Sequence, residues 1–252
     1  MLHYRSFLSY IAAMPRAATL GPLAELAQDQ WGLLTRRQAH RAGVAAATMT
    51  RLIGDGVLVR VAGGVYRLAG APLADHLELR AAWLQLAPDV PGWERSPAQG
   101  VVSHRSATSL YDVGDLPADV HEFTLPTRRQ TRRPDVRLHV RAVPDAQLIE
   151  LDGLPVTRPA RIASDLLHDH EEPEAVAQIV VEATRRVLDY PGTFADALAP
   201  HAARFGLRRG DGVALLRWLY DLVGDPDTDQ WMREARAHQT DDSTADARRG
   251  LR

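Results

Sequence analysis

The sequence predicts an α+β protein: a small N-terminal module of helices closed by a β-hairpin, then a mixed α/β domain with a small sheet and C-terminal helices. Three observations predict it. Apolar residues recur at helical spacing near the N-terminus, and a Gly-Gly pair separates two strand-like runs. Later runs show helix-like spacing in some segments and strand-like spacing in others. With 252 residues, 45% of them hydrophobic, the chain can build two cores. We expect a lead-in over 1–19, the module over 20–72, the mixed domain over 73–224 and a weakly ordered polar tail over 225–252.

The module begins with an amphipathic segment, GPLAELAQDQW, in which Leu23, Leu26 and Ala27 share one helical face. Thr35 and Gln38 then have the spacing of a capping box, in which each side chain bonds the other residue's backbone amide. A second helix, RRQAHRA, is therefore predicted to begin directly after Thr35.

Gly43 is predicted to end this second helix, because glycine adopts positive φ without strain. The third helix, AAATMTRLI, follows closely and directs Met49, Leu52 and Ile53 inward. Its outer face is then formed by Ala47, Thr48, Thr50 and Arg51.

The run VLVRVAGGVYRL predicts a β-hairpin, because Gly63 and Gly64 stand between two alternating apolar segments. Three short helices followed by a hairpin are the order of a winged helix-turn-helix. In that fold the third helix enters the major groove of DNA while the second crosses the backbone. The alternative is a winged helix used for protein contacts, with solvated arginines. The complete, ordered module favours double-stranded DNA as the partner.

The local charge of the module supports the prediction that it binds DNA. Residues 20–70 hold six arginines and three carboxylates, a net +3 in a chain whose overall net charge is −2. Arginine suits guanine and the threonine methyl suits thymine, so the residues predicted to contact bases are Thr48, Thr50 and Arg51. Those predicted to hold phosphates are Arg36, Arg37, Arg60 and Arg67.

Composition excludes several kinds of site. The chain has no cysteine, which excludes disulfides, thiolate nucleophiles and cysteine-bound metals. It also has no lysine, which excludes a Walker A loop and a Schiff-base lysine. The first twenty residues are interrupted by Arg5, Ser9 and Pro15, so neither a membrane span nor an export signal is expected. We expect a cytoplasmic, nucleoid-associated protein with no membrane partner.

The mixed domain is predicted to open with two helices, HLELRAAWLQLA and a second capped by Ser103, followed by the strands VHEFTL, VRLHVRAV and LIEL. PVT could extend the last strand after a turn. Another helix is predicted near Pro159, with Arg161 and Asp165 close enough to pair. Two more are EPEAVAQIVVEATRRVL and GVALLRWLYDLV, the first burying Val176, Ile179, Val180, Ala183 and Val187.

Three groups of polar residues raise the question of catalysis or metal binding. Glu150 and Asp152 could belong to a nuclease, but the lysine of a typical metal-dependent nuclease is missing. The run 168–172, HDHEE, is interpreted as a solvated loop, and Asp225, Asp227 and Asp229 as a charged linker, because a calcium loop needs a glycine and a distal glutamate that are absent. We therefore predict no catalytic residue, no metal and no cofactor.

A basic segment, TRRQTRRPDVRLHVR, lies between two predicted strands over residues 127–141 and carries a net charge of +5. It is interpreted as a hairpin. Its arginines could contact flanking DNA or an acidic partner, or could only keep the hairpin tip in solution, and both alternatives stay open. The residues concerned are Arg128, Arg129, Arg132 and Arg133.

The run from LLTRRQAHRAGV to VRVAGGVYRL resembles the N-terminal winged helix of the AbiEi family of antitoxins, and VVSHRSATSLYDV and GLPVTRPARIASDLL are similar to runs in the body of such proteins. The resemblance spans residues 20–188. It implies a repressor that binds promoter repeats and neutralises a nucleotidyltransferase-like toxin as its partner. An enzyme is the alternative, because related proteins carry an endonuclease-like body and an antitoxin could also modify its toxin as a kinase does.

Overall fold

The computed structural model describes residues 20–249, with side chains described through residue 238; the lead-in expected over 1–19 lies outside the described residues. The chain divides into two compact units. The first contains residues up to Gly100 together with Asp152–Leu154, and the second contains Val101–Leu151 and the residues from Pro155 onward. The fold is mixed α+β, with two small sheets.

Over residues 20–100 the first unit contains four α-helices, two short 3-10 helices and one antiparallel sheet with the strand order β1-β3-β2. β1 was not predicted from the sequence. It has three residues, all buried, so it shows no alternation. The elements are α1 over 20–28, β1 Leu33–Thr35, α2 Arg36–Arg41, α3 Ala46–Gly54, β2 Leu58–Ala62, β3 Val65–Leu68 and α4 Leu77–Leu86.

The first core draws residues from each of α1, β1, α2, α3, β2 and β3. Its buried members are Leu23, Ala27, Leu34, Ala39, Val44, Met49, Leu52, Leu58 and Tyr66. α4 also belongs to this unit, although the sequence placed the domain boundary at residue 72. Seven of its ten residues are buried. Arg95 caps its C-terminal end by donating to the carbonyls of Trp83, Leu84 and Ala87.

The predicted capping box is present and is part of a buried amide network. Gln38 N–H donates to Thr35 Oγ1 at 3.0 Å, and Thr35 N–H donates to Gln38 Oε1 at 2.9 Å. The side-chain amides of Gln30 and Gln38 bond each other reciprocally at 3.1 and 2.9 Å. Gln38 also donates to the Val90 carbonyl, and the Gly92 amide donates to Gln30. The network joins α1, α2 and the segment after α4.

We expect Gln38→Ala to reduce the free energy of unfolding of the first unit by about 2 kcal/mol. The reason is that the change removes both side-chain bonds to Gln30, the bond to the Val90 carbonyl and half of the capping box. Chemical denaturation of the full chain measures this. The matched control is Gln28→Ala on the exposed side of α1, and equal stability of the two variants would contradict the expectation.

The second unit contains the five-stranded sheet with the order β6-β5-β4-β8-β7. β4, at its centre, was missed because it has only two residues. The elements are β4 Val101–Val102, α5 His104–Tyr111, β5 His121–Leu125, β6 Val136–Val140, β7 Leu148–Leu151, β8 Leu154–Thr157, α6 Pro159–His168, α7 Pro173–Arg185, α8 Pro191–Leu198, α9 Gly212–Leu222 and α10 Thr228–Arg249.

The basic segment is not a hairpin, so that expectation is wrong. β5 and β6 pair in parallel, with His121 opposite Val136 and Leu125 opposite Val140. Residues 126–135 therefore run back along the full length of β5 to reach the start of β6. The sequence pattern could not show this, because two alternating runs predict strands and not their relative direction.

Three smaller expectations are also wrong. Val187 is 67% exposed and has a positive φ of 55°, because α7 ends at Arg185 before reaching it. Ser103 occupies the cap position of α5, but its hydroxyl makes no cap bond. The tail after residue 224 is helical from Thr228 and buries Met232 and Ala235, so it is not weakly ordered throughout.

The predicted ion pair on α6 is confirmed. Arg161 Nε lies 2.7 Å from Asp165 Oδ2, and Arg141, at the end of β6, approaches Oδ1 to 3.0 Å. Asp165 is fully buried. Of the helices in residues 20–249, none combines the length and apolar character required to cross a bilayer.

Candidate nucleic-acid interface

The outer face of α3 is open to solvent. Its inner face buries Met49 and Leu52 in the core, so α3 is fixed in rotation. The opposite side exposes Thr50 and Arg51, and Thr48 is half-buried. The Thr50 hydroxyl donates to the Ala46 carbonyl at 3.1 Å. Since a hydroxyl has one hydrogen, Thr50 can only accept a hydrogen bond from a base or contact it through its methyl group.

The first turn of α3 has backbone amides that are available to a ligand. The cap residue Ala45 makes no side-chain cap bond, and Ala45, Ala46 and Ala47 are all exposed. The amides of the first turn therefore remain available to phosphate or water, and small side chains let another backbone approach. Our sequence interpretation missed this feature. The signal was an alanine where a helix usually has Ser, Thr, Asp or Asn.

Two of the arginines predicted to contact DNA have side chains that bond no other side chain within residues 20–238. Arg51 on α3 and Arg60 on β2 are both exposed. Across residues 20–238, no hydrogen bond or ion pair ties either guanidinium to another side chain. Their donors are available to bases or phosphates.

The other predicted phosphate contacts are already engaged inside the unit. Arg36 donates to the Tyr66 hydroxyl at 2.9 Å and lies over its ring, which joins α2 to β3. Arg67 is half-buried and donates to the Ala71 carbonyl at 2.6 Å. Arg67 therefore has fewer free donors than Arg60, although the sequence assigned both the same role.

Asp89 neutralises part of the positive charge on α2. Its carboxylate lies 2.8 Å from Arg37 Nη1, and its carbonyl accepts from Arg41 at 2.8 Å. These groups line a cavity of about 340 Å³ between α2 and the start of α3. The count of charges over residues 20–70 could not include Asp89, because Asp89 follows its partner Arg37 by 52 positions and lies outside that range.

The basic segment of the second unit exposes Arg128, Arg129 and Arg132. Arg133 instead forms an ion pair with Asp135, and its hydrogen bond lowers the pKa of that carboxyl to about 2. One of the four predicted cations in this patch is therefore paired within its own loop.

The acidic groups considered for catalysis do not form a carboxylate cluster within residues 20–249. Glu150 is exposed, and Asp152 lies 3.7 Å from Arg80. The solvated-loop interpretation of residues 168–172 is wrong for Asp169 and Glu171. Glu171 accepts two hydrogen bonds from Arg105, and Asp169 faces two histidines.

The aspartates at the start of α10 are ion-paired instead of forming a free linker. Asp225 is buried and pairs with Arg185 at 3.1 Å, and Asp229 pairs with Arg217. They hold the start of α10 against α7 and α9.

A comparison with curated proteins gives no match to this chain. A comparison with family models gives a match over residues 22–69, to a family described as a transcriptional regulator, AbiEi antitoxin. These residues run from α1 through the hairpin. The resemblance stated from the sequence is thus confirmed over residues 22–69, and its extension over the later runs stays a prediction. Over residues 22–69, the chain is similar to the AbiEi antitoxin family of transcriptional regulators.

Proposed function

We propose that this protein is a sequence-specific, double-stranded-DNA-binding transcriptional repressor that serves as the antitoxin of a toxin–antitoxin pair and represses its own promoter through repeats. The observation that carries the proposal is α3. Its inner face is buried, while its outer face presents uncapped amides, small side chains and an uncommitted Arg51. The family match over the same residues supports the regulatory role.

In this proposal the first unit acts as a winged helix-turn-helix. α3 enters the major groove, where Arg51 donates to a guanine and Thr48 and Thr50 contact neighbouring base edges. The hairpin of β2 and β3 is the wing, and Arg60 on its exposed side holds a phosphate. Arg36 and Arg37 flank the groove on α2.

The second unit is the proposed site of contact with the toxin, a nucleotidyltransferase-like protein. The support is that the family matched by residues 22–69 is described as an antitoxin, and that runs of the second unit resemble the body of such proteins. The proposal places the protein on the nucleoid in the cytoplasm, because its proposed target is chromosomal promoter DNA. Co-purification of the full chain with the product of the adjacent gene tests the toxin contact separately from DNA binding.

Selection of duplexes from a random library by the full-length chain tests the DNA-binding function. We expect a recovered motif with repeated half-sites, and an affinity that falls steeply as salt increases from about 50 to 200 mM. Recovery of no enriched sequence at low salt would overturn the proposal. Enrichment of single strands alone would overturn the major-groove geometry.

We expect Asp89→Asn to raise DNA affinity several-fold at low salt and to steepen the logarithmic salt dependence by up to about 0.9. The reason is that the change removes the carboxylate paired with Arg37, while the backbone carbonyl that holds Arg41 remains. Fluorescence anisotropy over a salt series measures both effects.

The control for Asp89→Asn is Asp29→Asn, which makes the same change in net charge at an exposed position after α1. A smaller gain is expected there, because within residues 20–238 Asp29 forms no ion pair with an arginine of α2. Equal gains from the two variants would show that only overall charge matters and that Asp89 does not mask Arg37.

A further inference from the structure

Two histidines and a carboxylate converge in the second unit, far apart in sequence. His104 begins α5, His139 lies on β6 and Asp169 follows α6. Asp169 Oδ2 lies 3.4 Å from His139 Nδ1 and 3.6 Å from His104 Nε2. One potential ligand atom from each residue lies within 4.8 Å of the others. Three separate elements thus direct their polar atoms at one point.

The spacing of these atoms differs from that of hydrogen bonds. An N–H···O bond to a carboxylate is about 2.7–2.9 Å long, and both distances to Asp169 exceed this. They are instead close to the edge of a tetrahedron of ligands around a zinc ion, which is about 3.3 Å for bonds of about 2.0–2.1 Å. Each of the two nitrogens is thus separated from the carboxylate oxygen as two ligands of one ion are.

The far side of each ring has a polar partner. His139 Nε2 lies 2.8 Å from the buried Glu122 carboxylate. His104 Nδ1 lies 3.0 Å from Ser103 Oγ, which accepts a hydrogen bond from Thr124. A carboxylate on Nε2 keeps the proton there and leaves a lone pair on Nδ1 facing Asp169. This is the outer arrangement of many histidine metal ligands.

The two rings are more buried than the carboxylate. The side chains of His104 and His139 are 4% and 13% exposed. The Asp169 side chain is 40% exposed, which leaves an ion a path from solvent.

We propose that His104 Nε2, His139 Nδ1 and Asp169 bind one divalent first-row transition metal of the zinc class, with solvent completing the coordination. Two imidazoles and one carboxylate suit such an ion better than calcium or magnesium, which prefer oxygen ligands. The two rings stack with centroids 3.6 Å apart. A bound ion lies near the plane of each ring, so binding rotates the rings apart. The ion joins the start of α5, β6 and the end of α6.

The experiment uses the full-length chain without a histidine tag, stripped with a chelator and then titrated with zinc chloride. Calorimetry and elemental mass spectrometry measure affinity and stoichiometry, and thermal unfolding measures stabilisation. We expect one tight zinc per chain and a higher Tm for the second unit. Calcium and magnesium should produce neither effect.

Variants identify the ligands. Asp169→Asn and His139→Ala should each abolish the tight site, and Glu122→Gln, which changes the group behind His139 without removing a ligand, should weaken it about 10- to 100-fold. The matched control, His170→Asn, removes an exposed imidazole beside Asp169 and should bind zinc normally. If Asp169→Asn misfolds, His139→Ala alone decides. Zinc retained at full affinity by His139→Ala, or no tight zinc in the parent chain, would overturn the proposal.

Discussion

Arg51→Ala is expected to weaken binding to the preferred duplex by about 1 to 3 kcal/mol, or roughly 5- to 150-fold in Kd, and to relax the preference at one base position. The side chain lies on the exposed face of α3, with no partner among residues 20–238, so its donors are free to bond guanine. Binding to a panel of duplexes, each altered at one position, measures the effect.

The control for Arg51→Ala is Arg60→Ala on β2, which removes the same charge from the hairpin. It should weaken all duplexes alike and reduce the salt slope by about 1. The two variants thus separate base contact from phosphate contact. Arg51→Ala could instead weaken every duplex equally, as Arg60→Ala is expected to do. Arg51 would then be a phosphate contact, and its assignment as a base contact of α3 would be wrong.

Asp165→Ala is expected to destabilise the second unit by about 3 kcal/mol. The Asp165 carboxylate is fully buried and accepts from both Arg161 and Arg141, which ties α6 to the end of β6. Its removal leaves two guanidinium groups without their shared anion. The expected value is at the low end for a buried pair because Arg141 is 34% exposed and can regain water.

Urea denaturation of the full chain, followed by probes in each unit, measures this loss. The first unit should unfold as in the parent chain. Asp145→Ala, at an exposed position before β7, is the control and should change stability by less than about 0.5 kcal/mol. A comparably small change in Asp165→Ala would show that the buried carboxylate contributes little net stability.

Features with a local cause were predictable from the sequence. The Thr35–Gln38 capping box and the Arg161–Asp165 pair each depend on residues three or four positions apart, and both are present. The hairpin at Gly63-Gly64 follows from the ease with which glycine takes the positive φ of 76° seen at Gly64. In each case the residues concerned lie within four positions of each other in the sequence.

Features that depend on distant residues were not predictable. β1 and β4 are too short to show a period, and their partner strands lie elsewhere in the chain. Asp89 reaches Arg37 across 52 positions. The His104, His139 and Asp169 cluster joins three elements that are far apart in sequence, so no local spacing could indicate it.

The outer face of α3 is proposed to contact base pairs. A photo-crosslinking side chain at Ala47, which is exposed on that face, detects this contact, and the same group at the exposed Ala24 of α1 is the reference. We predict crosslinks from position 47 to bases inside the selected motif and essentially none from position 24. Equal crosslinking from both positions, or none from position 47 under conditions where the duplex is bound, would show that α3 does not contact the bases.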